Sequence, residues 1–126
     1  MAYDALLKIN KTVTENETSD CIKYYGRNAL VGRIDVLEAS GQLTVVIEES
    51  PNAVDFSPVK EIYNLVGVIG KSKGDLIESM IFYQTRRSLE YTFKPNIHSR
   101  YVRYRFEVAG DSPSFDIEIN HSIGGR

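Results

Sequence analysis

The chain has 126 residues, 42% hydrophobic and 25% charged, with a formal net charge of −2. That is enough for one domain with a real core, and the balance lacks the strongly basic footprint of a nucleic-acid binder. No apolar run approaches the roughly 18 residues of a membrane-spanning helix, and the opening Met1-Ala2-Tyr3-Asp4 has neither the basic nor the apolar region of an export signal.

Eight Tyr and five Phe without Trp favour strands over helices. In chain order, Leu7, Ile9 and Val13 stand among polar neighbours, which predicts a strand near 5–10. Residues 14–20 are polar and read as loop. Ile22, Tyr24 and Tyr25 open a short strand that ends at 26–28. Residues 30–38 alternate at Ile34 and Val36. After the turn-like Ala39-Ser40-Gly41-Gln42, the positions Leu43, Val45 and Ile47 alternate in turn, which predicts a hairpin.

Residues 54–65 are the least regular. Pro58 excludes a central strand there, and 57–63 could open one helical turn with Pro near its start. Val66, Val68 and Ile69 read as a strand, and 71–75 as a charged turn. Two more strands fit 76–85 and 88–93, with a bend at Arg86-Arg87. Pro95-Asn96 ends that run.

The clearest signal is 100–120. Val102, Tyr104, Phe106 and Val108 alternate with Arg103, Arg105 and Glu107. After Gly110-Asp111-Ser112-Pro113, Phe115, Ile117 and Ile119 alternate with Asp116, Glu118 and Asn120. Period-two alternation on both sides predicts two strands, each with one buried face. The intervening turn chemistry predicts that they form a hairpin, with Arg103 or Arg105 paired to Asp116 or Glu118 across it. Tyr104, Phe106, Phe115 and Ile117 are expected together in the core, and the tail after Asn120 is expected to fray. About eight short strands at a spacing near 8–12 residues, with no 3.6-residue apolar period, predict an all-β antiparallel sandwich of jelly-roll type with no long helix.

Residues that carry chemistry are sparse. The two histidines, His98 and His121, fall in a loop and near the chain end, where solvated side chains are expected and a metal site is not. Cys21 is a single cysteine, so it forms no internal disulfide and reads as a buried or half-buried thiol. Glu48, Glu49, Asp75 and Glu78 are scattered near turns, with no pair singled out for acid–base work. Gly70-Lys71-Ser72 ends like a phosphate loop, but Leu65 stands where its first glycine is required. Lys71, Lys73, Arg86 and Arg87 read as a solvated basic edge. No catalytic, cofactor-binding or metal-binding residues are assigned, and no cofactor is expected.

The run Arg100-Tyr101-Val102-Arg103-Tyr104, the turn at 110–114 and the final strand at 115–119 resemble the C-terminal end of small jelly-roll proteins encoded by tailed bacteriophages. The middle is also similar, with a strand like 43–48 followed by Glu49-Ser50, a short spacer and an aromatic like Phe56. The resemblance covers about two thirds of the chain. It implies a non-enzymatic capsid cement or decoration protein, bound outside an assembled shell as a homo-oligomeric dimer or trimer. The major capsid protein would be its partner, with no nucleic acid or membrane, and it would reach the virion by assembly in the host cytoplasm. A carbohydrate-binding β-sandwich module and a phage tail or neck adaptor are the alternatives. Candidate contact segments are 51–65, the 71–75 turn and the first residues.

Overall fold

The computed structural model describes residues 5–24, 29–65, 76–77, 80–82 and 87–123. The protein is all-β, and the described residues contain no helix. Among the described residues, nine strands form one antiparallel sheet: β1 (Ala5–Val13), β2 (Glu17–Thr18), β3 (Ile22–Lys23), β4 (Leu30–Ser50), β5 (Ser57–Pro58), β6 (Ile62–Asn64), β7 (Met80–Phe82), β8 (Arg87–Phe93) and β9 (Tyr101–Ile123). The expected strand at 66–69 and the turn at 71–75 lie outside the described residues, as do Tyr25, Arg86 and the Gly-Lys-Ser stretch. Residues 57–58 are extended, where a helical turn was the alternative. They form a two-residue edge strand, which a proline tolerates.

Both expected hairpins are absent. β4 and β9 are single long strands of 21 and 23 residues. They pair with each other from Leu30 opposite Ile123 to Ser50 opposite Tyr101. The two arms of 100–120 therefore lie side by side with the two arms of 30–50, not with one another. Arg103 faces Glu48 and Arg105 faces Val46, while Asp116 and Glu118 face Glu38 and Asp35. Alternation shows which face of a strand is buried but does not identify its neighbour, which is why the arms were legible and their partners were not.

What looked like two turns is one shared corner. Ser40 pairs with Ser114, yet Gln42 pairs with Ala109, so Gly41 alone opposes residues 110–113. An excess of residues on one strand bends the ribbon sharply at that level. Gly41 and Gly110 take φ of +92° and +112°, which favour glycine. Space is short as well, since a Cβ on Gly41 would lie 2.7 Å from the Ala109 carbonyl oxygen. The flanking strands break at the same level. β1 follows the distal arm of β9 up to Val13 opposite Phe115, and β2 resumes at Glu17 opposite Phe106. On the other flank β8 covers Val36 to Leu30, and β7 covers 43–45.

Past the corner the two arms face each other. Tyr104 and His121 both belong to β9, yet their rings meet edge to face at 5.7 Å. The Tyr91 hydroxyl from one arm and the Tyr104 hydroxyl from the other share a hydrogen bond in the core. The inward set is even-numbered before each corner (Ile34, Val36; Tyr104, Phe106) and odd-numbered after it (Val45, Ile47; Phe115, Ile117), and all of it is buried in one cluster. Gly32 has no side chain because the Tyr91 ring fills its place: a Cβ there would come within 2.3 Å of that ring.

The segment 57–64 crosses from arm to arm. β5 pairs with Glu48 and Glu49, whereas β6 pairs with β8 from Phe93 to Tyr91. Val59 N donates to the Ile47 carbonyl at 2.8 Å, and Ile77 N to that of Ile62 at 2.7 Å. The molecule thus has two poles, a corner pole around Gly41 and Gly110 and a loop pole that gathers 51–61, 94–100 and the far ends of β4 and β9.

Two substitutions test this architecture by chemical denaturation. Phe106 is fully buried, so Phe106→Ala is expected to cost about 3–5 kcal/mol from lost burial and a residual cavity. Gly41→Ala is expected to cost about 1–3 kcal/mol from a disfavoured backbone region, with the close carbonyl adding to it. Stability unchanged by either substitution would contradict the core or the corner.

Candidate functional site

The loop pole is organised by Ser50, the last residue of β4. Its Oγ donates to Asn52 Oδ1 at 3.0 Å and accepts from the backbone N–H groups of Asn52 and Ala53 at 3.1 and 2.9 Å. Asn52 Oδ1 also accepts from Val54 N and Asp55 N at 2.9 and 2.8 Å, while its Nδ2 donates to Asp55 Oδ2 at 2.9 Å. Short polar side chains that cap nearby backbone groups fix a turn of this kind. Ala53 sits in the left-handed region at φ +65°. The loop presents Val54 outward with 77% of its surface exposed.

Phe56 ties this loop back onto the outer face of the sheet. The Arg103 guanidinium lies 3.7 Å from the centroid of the Phe56 ring, a cation–π contact. Arg103 Nε also donates to Glu48 Oε1 at 2.8 Å, and Arg105 Nε to Glu48 Oε2 at 3.0 Å. Arg105 goes on to pair with Glu107. Glu48, expected as a solvated strand-end acid, is instead buried beneath two arginines. A carboxylate can be buried there because both its oxygens are paired.

The second loop follows β8. Glu49 Oε1 accepts from Asn96 N at 2.6 Å, Asn96 Oδ1 accepts from His98 N at 2.9 Å, and Asn96 O accepts from Ser99 N at 2.8 Å. Arg100 N donates to the Ser50 carbonyl at 2.9 Å, joining the two loops. Arg100 Nη1 closes the turn on the Ile97 and Ser99 carbonyls at 3.0 and 3.1 Å. Ile97 stands at its tip, 69% exposed. Beside the loops lies a cleft of about 530 Å³ whose lining includes Glu49, Pro58, Lys60, Lys94, Asn96 and His98.

His98 is exposed in its loop, as expected. His121 is not, since it is fully buried within β9, which runs unfrayed to Ile123. Its ring packs on Phe93 at 5.4 Å and on Tyr104, and neither ring nitrogen has a hydrogen-bond partner among the described residues. Burial pushes its pKa down from 6.5 to about 4. The Tyr91 and Tyr104 hydroxyls nearby stay protonated, because burial raises both above the usual 10. Cys21, expected buried or half-buried, is exposed between β2 and β3, where the edge segment leaves the ladder. Asp75, Glu78, Lys71 and Lys73 lie outside the described residues. Among the described residues, no three His, Cys, Asp or Glu side chains gather as a metal site would require, and no helix is long and apolar enough to cross a membrane. Tyr63 is the exposed large aromatic of the described part, its hydroxyl donating to Glu61 Oε1 at 2.9 Å.

Of the expected contact segments, 51–65 forms the heart of the loop pole. The Phe56–Arg103 clamp and the apolar tips Val54 and Ile97 were not anticipated from the sequence. The Ser50, Asn52 and Asp55 spacing is the one signal that could have marked the rigid turn. Comparison with protein-family models, with curated proteins and with solved structures finds no match for this chain.

The buried imidazole sets a pH dependence. It is neutral in the folded chain down to about pH 4 but takes a proton near 6.5 once unfolded. Its contribution to stability is therefore complete above that upper value and is lost as pH falls through the window, by on the order of 3 kcal/mol. Urea midpoints measured from pH 7 to pH 4 should fall across that window, and His121→Leu should flatten the fall. An equal slope in the variant would assign it to other groups.

Proposed function

We propose that this protein is a non-enzymatic structural component of a tailed-phage virion that binds the outer capsid surface and stabilises the shell. The observation that carries this reading is the loop pole, where two aliphatic side chains are held outward on hydrogen-bonded loops at one end of a folded sheet. Such a surface suits contact by area, and loops on a rigid scaffold are where folds of this class carry recognition. The resemblance of 100–119 and of the middle strand to small phage jelly-roll proteins supports the same reading.

The mechanism is linkage. A protein that binds the assembled lattice but not separated subunits stabilises the lattice by RT ln(1 + [L]/Kd) per site. Each bound copy bridges neighbouring capsid subunits and opposes their separation. Assembly into closed dimers or trimers would match the two-fold and three-fold positions of an icosahedral shell. Several weak contacts made at once would then give a tight attachment.

Capsids of the phage that encodes the chain, prepared with and without the protein, should differ when heated or transferred to low salt. Decorated shells are expected to survive longer. Equal survival at full occupancy would remove the stabilising role, and failure to cosediment with capsids would remove the reading as a whole.

A further inference from the structure

A row of polar side chains crosses the interior at His121 and serves no part of the contact with a shell. One rung of the ladder runs Leu7, His121, Gly32, Tyr91 and Asn64, from β1 through to β6. Because Gly32 lacks a side chain, the Tyr91 phenol lies over it, on the imidazole's side of the rung. The Tyr104 ring meets the imidazole edge to face, and the two tyrosine hydroxyls bond one another.

These surroundings suit a neutral imidazole and offer nothing to a charged one. His121 is fully buried, and neither ring nitrogen has a hydrogen-bond partner among the described residues. The titratable groups that face it are the hydroxyls of Tyr91 on β8 and Tyr104 on the first arm of β9, and both stay protonated. Phe93 of β8 is the other ring against it, and Asn64 of β6 is an uncharged amide. The nearest charged positions on the four strands are Lys8, Arg33, Glu90 and Glu118, which alternate to the outer face. There Arg33 pairs with Asp35 and Glu90, and Glu118 stands opposite Asp35. An imidazolium at His121 would thus meet no carboxylate, and an unpaired buried charge is driven toward water.

The ladder is also weakest here. β1 carries one extra residue between the pairs Ala5–Ser122 and Leu7–His121, which interrupts the pairing right beside the imidazole. On the other side, beyond Gly32, the β4 ladder continues only to Leu30 opposite Ile123. Low-energy openings begin at such ends. By contrast, the second arm of β4 pairs with the first arm of β9 without a break from Leu43 to Ser50.

We propose that His121 is an acid-operated latch: a proton taken from solvent by its ring releases residues 120–123 of β9 from β4 and uncovers Tyr91, Phe93 and Tyr104, while the corner and the paired second arm of β4 stay folded. This is independent of the capsid-binding role. It also differs from loss of stability by the whole molecule, because the latch opens first and alone. Between pH 6.5 and about 4, the ratio of open to closed latch should rise about tenfold per pH unit, roughly 300-fold in all.

Amide hydrogen exchange, followed by NMR on nitrogen-15-labelled protein from pH 7 to pH 4 in increasing low concentrations of urea, tests the latch. Dividing each rate by its intrinsic rate gives an opening ratio. The amides of Gly32 and 119–123 should open roughly tenfold or more often than those of 45–47 and 104–106, with little dependence on urea, as local openings do. Their opening ratio should climb as the pH falls below 6.5, and the ring nitrogens should keep neutral-imidazole shifts in the closed form. His121→Leu should abolish the climb, and His98→Gln, at an exposed histidine, should keep it. Three results would overturn the latch. One is an opening ratio at 119–123 that equals global unfolding and shares its urea dependence. Another is a ratio that does not change with pH. The third is an imidazole that protonates while 119–123 stay protected, its charge resting on the aromatic rings. Should His121→Leu fail to fold, the unsubstituted protein and His98→Gln decide between these outcomes.

Discussion

The fold depends on a backbone constraint at one place. Gly41 must oppose four residues of β9 while lying within close range of the Ala109 carbonyl, and both strands must change direction there without separating. A long two-stranded ribbon left straight would expose one apolar face along more than twenty residues. Folding it at this corner lets the face cover itself, so that Tyr104 meets His121 of its own strand and Tyr91 of the opposite arm. The flanking strands need no corner of comparable complexity, because they break into short pieces on either side of the bend.

The corner also decides where the loops gather. Doubling the ribbon brings its two far ends together, and the chain uses 57–64 to lace them to one another. The loops that leave those ends then become neighbours and fix each other through Glu49, Ser50, Asn96 and Arg100. On the outer face, Glu48 holds Arg103 in place, and Arg103 in turn holds Phe56, so the exposed loop is coupled to the sheet by a half-buried ion pair and a ring contact. Our reading of the protein as a shell-binding component follows this chain of dependence from corner to loops.

Much of the fold was legible as alternation, and the missing part was connectivity. Val102 to Phe106 and Phe115 to Ile119 are buried as their spacing requires. A change from even to odd inward positions across a glycine-containing segment fits a hairpin turn and a corner equally well, and only the long-range partner distinguishes them. His121 was misjudged for a related reason. Nearness to the chain end suggested fraying, but pairing with Gly32 on β4 holds it inside. At the loop pole, irregular sequence pointed to 51–65, whereas an isolated valine among polar residues gave no sign of whether it faced the core or the solvent. The arginine over Phe56 comes from a strand about fifty residues away, beyond any local pattern.

The doubled ribbon is tested most directly by inter-strand NOEs in a uniformly labelled sample. The account predicts cross-strand contacts linking Ile34 with Ile119 and Ile47 with Tyr104, together with ring contacts between Tyr104 and His121. A ladder joining Phe106 to Phe115, with no contact between the first arm of β9 and the second arm of β4, would show a local hairpin and contradict it.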